Sequence, residues 1–344
     1  MAGRTALALL ACTVASAVVQ TSSSLSALDA APLPEGSVGI ASRYAADAGI
    51  ASDPSVVFAD DFESYSGVSG VAGRWDNLYH TANIRLATEA GNVFRGGKAL
   101  EFTNPQTSAE VSNSAVKAVS PQRDTLFVRY YGKLNAGFNV LGSSHNGGTI
   151  SARYCCPGVR ADGFNKFLVS FEAWRDLASA PNPGKLNAYI YHPEQRDIWG
   201  DHFYPTGLVS PNTSVPFNFG PEFVPRADLT PVLDRWYAYE LMVKANTPGQ
   251  RDGRVAMWLD GHLIADFPNL RLRETTALAI DQFTLDLHVG SNTQGVARKW
   301  FDNVVAATSY IGPVGPAVSV VPSAPKGFRV VPMSSGATPS AGPG

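Results

Sequence analysis

The sequence predicts an all-β protein, built as a two-sheet antiparallel β-sandwich of the jelly-roll type. Charged residues make up only 16% of the 344 residues, which is too few to solvate the outer faces of long helices. Glycine and proline are frequent, at 32 and 24 residues, as expected of a chain with many turns. Apolar and polar residues alternate in many short segments, and no helix-length periodicity competes with this pattern.

The strands of the domain are predicted, in chain order, from this period-two alternation. In 166–174, for example, Phe167, Val169 and Phe171 alternate with Ser170 and Glu172. The dipeptide Asp-Gly at 260–261 adds a hairpin signal between two of the segments. The predicted strands are 126–133, 166–174, 186–191, 237–243, 255–259, 263–267, 283–289 and 299–307.

Both ends of the chain are predicted to lie outside this domain, which we expect at 55–312. Residues 1–30 contain a weakly apolar stretch, Leu7 to Val19, that is typical of a secretory signal peptide and too short to span a bilayer. We therefore expect a secreted, extracellular or periplasmic protein without a membrane span, with lipoprotein anchoring at Cys12 as a minor alternative. The tail, 313–344, is rich in Pro, Ser, Gly and Ala and is predicted to be disordered.

Composition argues against several classes of function. The formal net charge of −2 provides no excess of cations for a phosphate backbone, so nucleic-acid binding is disfavoured. Cys155 and Cys156 are adjacent, which favours two free thiols over a disulfide framework or a thiolate zinc site. The six histidines form no H-x-H or HExxH motif, so a metalloenzyme is not expected. The oligomeric state stays open.

The second face of several strands carries aromatic and polar side chains instead of the usual Lys, Glu and Thr of a solvated face. Flat rings stack on the C–H faces of sugars while polar groups hydrogen-bond the hydroxyls, so this pattern favours a carbohydrate-binding groove. The alternative is that the tyrosines pack beneath a covering loop. The residues concerned are Ser170, Glu172, Trp174, Tyr189, Tyr191, Asp286 and His288.

Two segments, 235–274 and 299–313, resemble the concanavalin A-like jelly roll of polysaccharide lyases of the alginate and glucuronan lyase type. They carry, in order, the phrases VKANTPGQRDG, WLDG, NLRLR and FDNVVAATSYIG. The resemblance covers most of 120–312 and implies an enzyme that cleaves an extracellular polyuronate such as alginate by β-elimination. In that reaction a base removes the C5 proton, an acid protonates the leaving O4, and a cation or hydrogen-bond donor neutralises the uronate carboxylate.

The resemblance also implies site residues. The Y-x-Y pair of related lyases matches Tyr189 and Tyr191, and their basic residue in a glycine-rich stretch matches His145 in GSSHNGG. These three are the predicted catalytic residues, with the acid and base unassigned. The sequence departs from the pattern at one point, because the expected arginine near Ser170 is replaced by Glu172. The predicted substrate-binding residues are Asn146, Arg160, Lys166, Ser170, Glu172, Arg175 and His288.

No cofactor is expected for the chemistry itself, but jelly rolls of this type often bind a structural calcium ion. Asp61, Glu63 and Asp302 offer hard oxygen ligands where the first and last strands are expected to meet. The alternative is a solvated acidic turn.

Two other functions stay open. A non-catalytic carbohydrate-binding module would keep the aromatic face and would not need His145 or Tyr191. A glycoside hydrolase on the same fold would need a pair of carboxylates across the scissile bond, such as Glu172 with Asp286, although the spacing typical of retaining glucanases is absent.

Overall fold

The structure, a computed structural model, describes residues 32–142, 144–211 and 217–315. The predicted signal peptide 1–30, including Cys12, and most of the predicted tail 313–344 lie outside these residues. In the described part of the chain, no helix is long and apolar enough to cross a membrane.

The described residues form strands joined by turns, with one short α-helix and four 3₁₀ turns. The strands are β1 (Val56–Asp60), β2 (Asn77–Tyr79), β3 (Ile84–Ala87), β4 (Ala99–Asn104), β5 (Val111–Arg123), β6 (Thr125–Leu134), β7 (Ser144–His145), β8 (Gly148–Ala152), β9 (Phe167–Trp174), β10 (Lys185–Tyr191), β11 (Asp201–Phe203), β12 (Val209–Ser210), β13 (Tyr237–Lys244), β14 (Gly253–Leu259), β15 (His262–Leu270), β16 (Ile280–Val289) and β17 (Ala297–Ala307). The helix is α1 (Val68–Arg74), and the 3₁₀ turns are Ile40–Arg43, Ile50–Ser52, Thr81–Asn83 and Ala90–Asn92.

The strands form two antiparallel sheets. The eight-stranded sheet has the order β15-β14-β13-β6-β17-β4-β3, with β1 also paired to β17. The nine-stranded sheet has the order β12-β11-β10-β9-β8-β16-β5-β2, with β7 also paired to β16. The predicted two-sheet antiparallel sandwich is therefore confirmed.

The core lies between the two sheets and is filled by alternate residues of each strand. Phe167, Val169 and Phe171 of β9 are buried there together with Leu241 and Val243 of β13. Burying one face of each strand fixes its register, because a slip of one residue would exchange the two faces. The opposite face of the nine-stranded sheet is thus left free to carry polar chemistry.

Residues before the predicted domain start at 55 also pack on the sandwich. Ile40 is buried against the outer face of the eight-stranded sheet, in one cluster with Phe127 and Trp258. The indole nitrogen Nε1 of Trp258 donates a 2.8 Å hydrogen bond to the carbonyl oxygen of Pro34. The packed part of the chain therefore begins upstream of residue 55.

Candidate active site

The candidate site lies on the outer face of the nine-stranded sheet, where the predicted aromatic and polar side chains come together. On β10, Ala188 and Ile190 enter the core, so the intervening Tyr189 points to the outer face. Strand β9 runs beside it, with Ser170 directly opposite Tyr189, and Glu172 two residues further along on the same face.

A histidine and a buried carboxylate form the centre of the site. His145 Nδ1 lies 2.8 Å from Glu172 Oε2. About a third of the histidine side chain is exposed, at 30%, whereas the Glu172 side chain is fully buried. Burial opposes a charge on His145, but the attraction and hydrogen bond of Glu172 outweigh it and raise the pKa of His145. Burial also raises the pKa of Glu172, against the opposing effect of His145.

Three more rings surround this pair. The ring centroid of His145 lies 4.8 Å from that of Tyr189 and 5.2 Å from that of His288, which is stacked on it. His202, on β11, lies 4.9 Å from Tyr189, and its Nδ1 donates a 2.9 Å hydrogen bond to Oδ1 of Asn187. Burial, with a smaller effect of His145, lowers the pKa of His288 to about 4 and that of His202 to about 3. Both rings are therefore uncharged at neutral pH.

Tyr189 is held as a neutral phenol. Its hydroxyl oxygen accepts a 2.9 Å hydrogen bond from the backbone N–H of Gly200. Burial raises the pKa of Tyr189, and Tyr191 and Glu172 raise it further. A Cβ at Gly200 would lie 2.6 Å from the carbonyl oxygen of Ile190, so this approach of loop and strand requires glycine.

Tyr191 is nearly buried, as Tyr189 is, with 2% and 6% of the two residues exposed. The loop before β9 covers Tyr191, whose ring contacts that of Tyr154. The ammonium of Lys166 lies 4.6 Å from the Tyr191 ring and donates hydrogen bonds of 2.9 and 2.7 Å to the carbonyl oxygens of Cys155 and Cys156. The covering-loop alternative thus describes Tyr191, and Lys166 holds that loop. The two cysteines are free and exposed.

Asp286, on β16, is a second, half-buried carboxylate of this face. Its side chain accepts hydrogen bonds from Ser114 at 2.6 Å and Thr149 at 2.8 Å, and a third from Thr284. Ser170 joins the same network, since it lies 3.0 Å from the Thr149 hydroxyl. The sequence pattern placed Asp286 on this face, but only the fold shows that hydroxyls from three other strand positions converge on it.

Besides Lys166, three more of the predicted substrate-binding residues form hydrogen bonds with the backbone of the protein. The Asn146 side-chain oxygen accepts a hydrogen bond from the backbone N–H of Ala173. Its Nδ2 donates one hydrogen bond to the carbonyl oxygen of Ala173 and another to the hydroxyl of Ser144, so all its polar atoms are engaged. Arg175 is 7% exposed and donates to the carbonyl oxygen of Val140. Arg160 is exposed and donates a 2.9 Å hydrogen bond to the carbonyl oxygen of Pro193, at the loop between β10 and β11.

The predicted calcium ligands are occupied by backbone groups. Asp302 accepts hydrogen bonds from the N–H groups of Phe94 and Arg95, and Glu63 accepts two from residues 97 and 98. Asp61 accepts one from the Glu63 N–H. No group of three or more His, Cys, Asp or Glu side chains in the described ranges is placed to hold a metal ion. The calcium ion stays a prediction that this arrangement does not favour.

Similarity to known proteins is found at the level of structure. No family model and no curated protein sequence matches the chain. Alginate lyase Aly36B is 16% identical over 74% of this chain and 98% of its own, with a TM-score of 0.54. A double mutant of that enzyme, solved with an alginate trisaccharide, gives 18% identity, 75% and 99% coverage and a TM-score of 0.55. Alginate lyase vAL-1 from Chlorella virus is 15% identical over 74% of this chain and 100% of its own, with a TM-score of 0.50.

The chain has the fold of the alginate lyases. The predicted resemblance to these jelly-roll lyases is therefore confirmed for the architecture. Because the identities are so low, the shared fold alone does not carry the substrate or the reaction over to this chain. The function has to be argued from the side chains on the outer face of the nine-stranded sheet.

Proposed function

We propose that this protein is a polysaccharide lyase that cleaves a uronic-acid polysaccharide by β-elimination. The observation that carries the proposal is the pairing of the partly exposed His145 with the buried Glu172, beside the neutral phenol of Tyr189. A base and an acid that differ in protonation, side by side on one face, are what this reaction needs.

His145 is the proposed base. Its Nδ1–H donates to the Glu172 carboxylate, which fixes the tautomer and leaves Nε2 as the nitrogen that takes the C5 proton. The negative charge of Glu172 stabilises the imidazolium that forms. The electron pair of the C5–H bond becomes the C4–C5 double bond, and the C4–O4 bond breaks.

Tyr189 is the proposed acid. Its raised pKa keeps the phenol protonated, so it can donate to the departing O4 but is not a ready base. His288, uncharged and stacked on His145, offers a ring nitrogen for hydrogen bonding near the uronate carboxylate. Arg160, exposed at the neighbouring loop, is the cation proposed to hold a carboxylate further along the chain. With the leader predicted in 1–30, we propose that the enzyme acts outside the cell.

The carboxylates on this face favour a lyase over a hydrolase. Glu172 is engaged by His145, and Asp286 accepts hydrogen bonds at both of its oxygens. A retaining or inverting pair needs one carboxylic acid and one free carboxylate directed at the sugar. Asp286 has both oxygens engaged, and the one Glu172 oxygen without a hydrogen-bond partner, Oε1, belongs to a fully buried side chain that is not exposed to a sugar.

The test is to incubate the mature chain with alginate, glucuronan, pectate and glycosaminoglycans and to follow the absorbance of the unsaturated uronate product. An increase on one of them is expected. New reducing ends without the chromophore would instead indicate a hydrolase. Retention on an immobilised polysaccharide without any product would indicate a non-catalytic binding module.

On the active substrate, His145→Ala is expected to lower kcat by about a hundredfold or more, the usual contribution of a general base. Tyr189→Phe should have a similar effect, because it removes the transferable proton. It also removes the acceptor of the Gly200 N–H, so the thermal unfolding of this variant is measured alongside. Tyr79→Phe, at a tyrosine that is 51% exposed on the edge strand β2, is the control for the loss of a phenol hydroxyl. A rate of His145→Ala equal to that of the wild type, in a protein that unfolds at the same temperature, would remove His145 from the mechanism.

A further inference from the structure

A second aromatic surface adjoins the candidate active site, on the loop between β10 and β11. Trp199 is 50% exposed, although large aromatic side chains are usually buried in the fold that carries them. It belongs to neither the catalytic nor the substrate-binding residues discussed so far. Ile198, which is 47% exposed, lies against the same glycine as the indole, Gly158, so Trp199 is part of an exposed apolar patch, and such patches often mark binding sites.

The position of this indole is fixed by packing on one side. The ring atom Cη2 of Trp199 lies 3.4 Å from where a Cβ would stand on Gly158, and Ile198 lies against the same glycine. Gly158 has a φ of +75°, a conformation that favours glycine, so the bare backbone there is a structural requirement. One part of the indole thus rests on the loop before β9 and another part is left in solvent.

The loop itself is held by a buried amide. Gln195 is fully buried, and its Nε2 donates hydrogen bonds of 2.8 and 2.9 Å to the carbonyl oxygens of Asp197 and Trp199. Its Oε1 accepts from the N–H of His192 at 3.0 Å. The backbone of Trp199 is therefore held in place without a ligand, which lowers the entropy cost of binding to this loop.

The same loop is tied directly to the proposed acid. The residue after Trp199 is Gly200, whose N–H donates to the hydroxyl of Tyr189. Gly158, on which the indole rests, also directs its backbone N–H towards Tyr191. The backbone next to the exposed indole is thus hydrogen-bonded to the residue proposed as the acid.

We infer that Trp199 is a stacking platform for a sugar ring of the same polyuronate chain, one that lies outside the two units joined by the cleaved bond. The C–H face of a pyranose fits a flat, half-exposed indole. Arg160, exposed on the loop that packs against Pro193, supplies a cation for the carboxylate of that unit. This inference rests on the proposed function for the identity of the ligand, but its test does not depend on turnover.

The test measures binding in the His145→Ala background, with alginate and glucuronan oligosaccharides from disaccharides to octasaccharides, by isothermal titration calorimetry. Adding Trp199→Ala should weaken binding of the long oligosaccharides by about two- to tenfold, the range of one aromatic contact. Binding of the disaccharides should not change. Trp199→Phe should restore part of the loss. Tyr79→Ala, an equally exposed aromatic on the edge strand β2, is the matched control.

Equal affinities with and without the indole, or no binding to either series, would overturn the inference. So would an oligomer of the full chain that Trp199→Ala dissociates in analytical ultracentrifugation, because the surface would then be a contact between copies. These outcomes are distinct from a failure of the proposed function. The proposed function would fail if the wild-type chain bound a polyuronate through Trp199 but formed no unsaturated product.

Discussion

At the scale of single residues, the side chain that decides the chemistry of His145 is Glu172. Its charge raises the pKa of His145 above the ordinary value despite the burial of the ring. In Glu172→Gln that charge is lost while an acceptor for the Nδ1–H remains. The pKa of His145 should therefore fall, and the acidic limb of the kcat/KM profile should move to lower pH. The maximal rate should also fall, because a weaker base removes the C5 proton.

The measurement is a pH–rate profile of wild type and Glu172→Gln on the polyuronate that is cleaved. Glu222→Gln, at an exposed position, is the control for a lost surface carboxylate. An acidic limb that stays in place or moves to higher pH would contradict the proposed pairing. Thermal unfolding of each variant shows whether the fold is retained.

A second residue-scale feature is a lysine buried behind the site. Lys299 is 2% exposed, and its ammonium donates to the carbonyl oxygen of Asn146 and lies 4.9 Å from the ring of Tyr239. Burial lowers the pKa of Lys299 to about 7, although Asp286 and Glu172 favour its charged form. The unfolded chain holds this proton up to about pH 10.4.

The sign of the resulting pH dependence follows from proton binding. Between about pH 7 and 10.4 the unfolded state binds more protons at this lysine, so its contribution to the free energy of unfolding rises with pH. In Lys299→Met this contribution is absent. The free energy of unfolding of Lys299→Met, minus that of wild type, should thus be more positive at pH 6 than at pH 9.

Urea unfolding at the two pH values checks this expectation. Lys185→Met is the matched control, because the Lys185 side chain is 56% exposed. The free energy of unfolding of this variant, minus that of wild type, should be the same at pH 6 and pH 9. A difference for Lys299→Met that does not change with pH would show that the lysine is not held with a lowered pKa.

The sequence predicted residues of the site unevenly. The alternation on β10 predicted that Tyr189 and Tyr191 share a face, as they do. It could not predict what covers the two rings, because the loop before β9 that lies against Tyr191 and the loop with Gly200 that lies against Tyr189 are not part of the strand. His202 was also missed as a neighbour of Tyr189. It sits on a three-residue strand, too short for its alternation to be recognised.

At the scale of secondary-structure elements, the strands with an apolar core face were the predictable ones. The segments predicted at 237–243 and 283–289 correspond to Tyr237–Lys244 and Ile280–Val289. Strand β5 was not predicted, since its residues Val111–Arg123 include few apolar positions and a run of Ser and Asn. Pairing with β16, on the same sheet, makes it a strand, and such long-range pairing leaves no mark in the local sequence.

The N-terminal segment is a second element that the sequence did not predict. It contributes Asp47, which forms a 2.6 Å ion pair with Arg129 on β6. The guanidinium is fully buried and the Asp47 side chain is 7% exposed. Removing one partner of a buried pair leaves an uncompensated charge, which costs far more than the loss of a surface pair.

We therefore expect Asp47→Asn to lower the free energy of unfolding by about 3 kcal/mol. Asparagine keeps the size of the side chain and tolerates the left-handed backbone at this position, where φ is 60°. Glu89→Ala, in an exposed pair with Arg85, should cost less than about 1 kcal/mol. Chemical unfolding of the two variants gives the comparison, and equal costs would contradict the role of the segment.

At the scale of the whole molecule, the two sheets are joined directly behind the candidate active site. Tyr130 extends from β6 across the core, and its hydroxyl accepts a 3.1 Å hydrogen bond from the N–H of Gly148 on β8. A Cβ on Gly148 would lie 2.7 Å from the Tyr130 ring, so the ring fits only against glycine. The short connection between β7 and β8 therefore places His145 relative to both sheets, and this contact contributes both to the stability of the sandwich and to the geometry of the site.

The last prediction tests this contact between Tyr130 and Gly148. Tyr130→Phe keeps the ring in the core and leaves the buried N–H of Gly148 without its acceptor, which should cost about 1–3 kcal/mol of unfolding free energy. Tyr79→Phe removes a hydroxyl from a side chain that is 51% exposed and should change stability by no more than about 0.5 kcal/mol. Guanidinium unfolding followed by far-UV circular dichroism compares them. If Tyr130→Phe were no less stable than Tyr79→Phe, the hydrogen bond between the sheets would not contribute to holding the sandwich together. A fall in kcat that accompanies the loss of stability in Tyr130→Phe would show that the contact also positions His145.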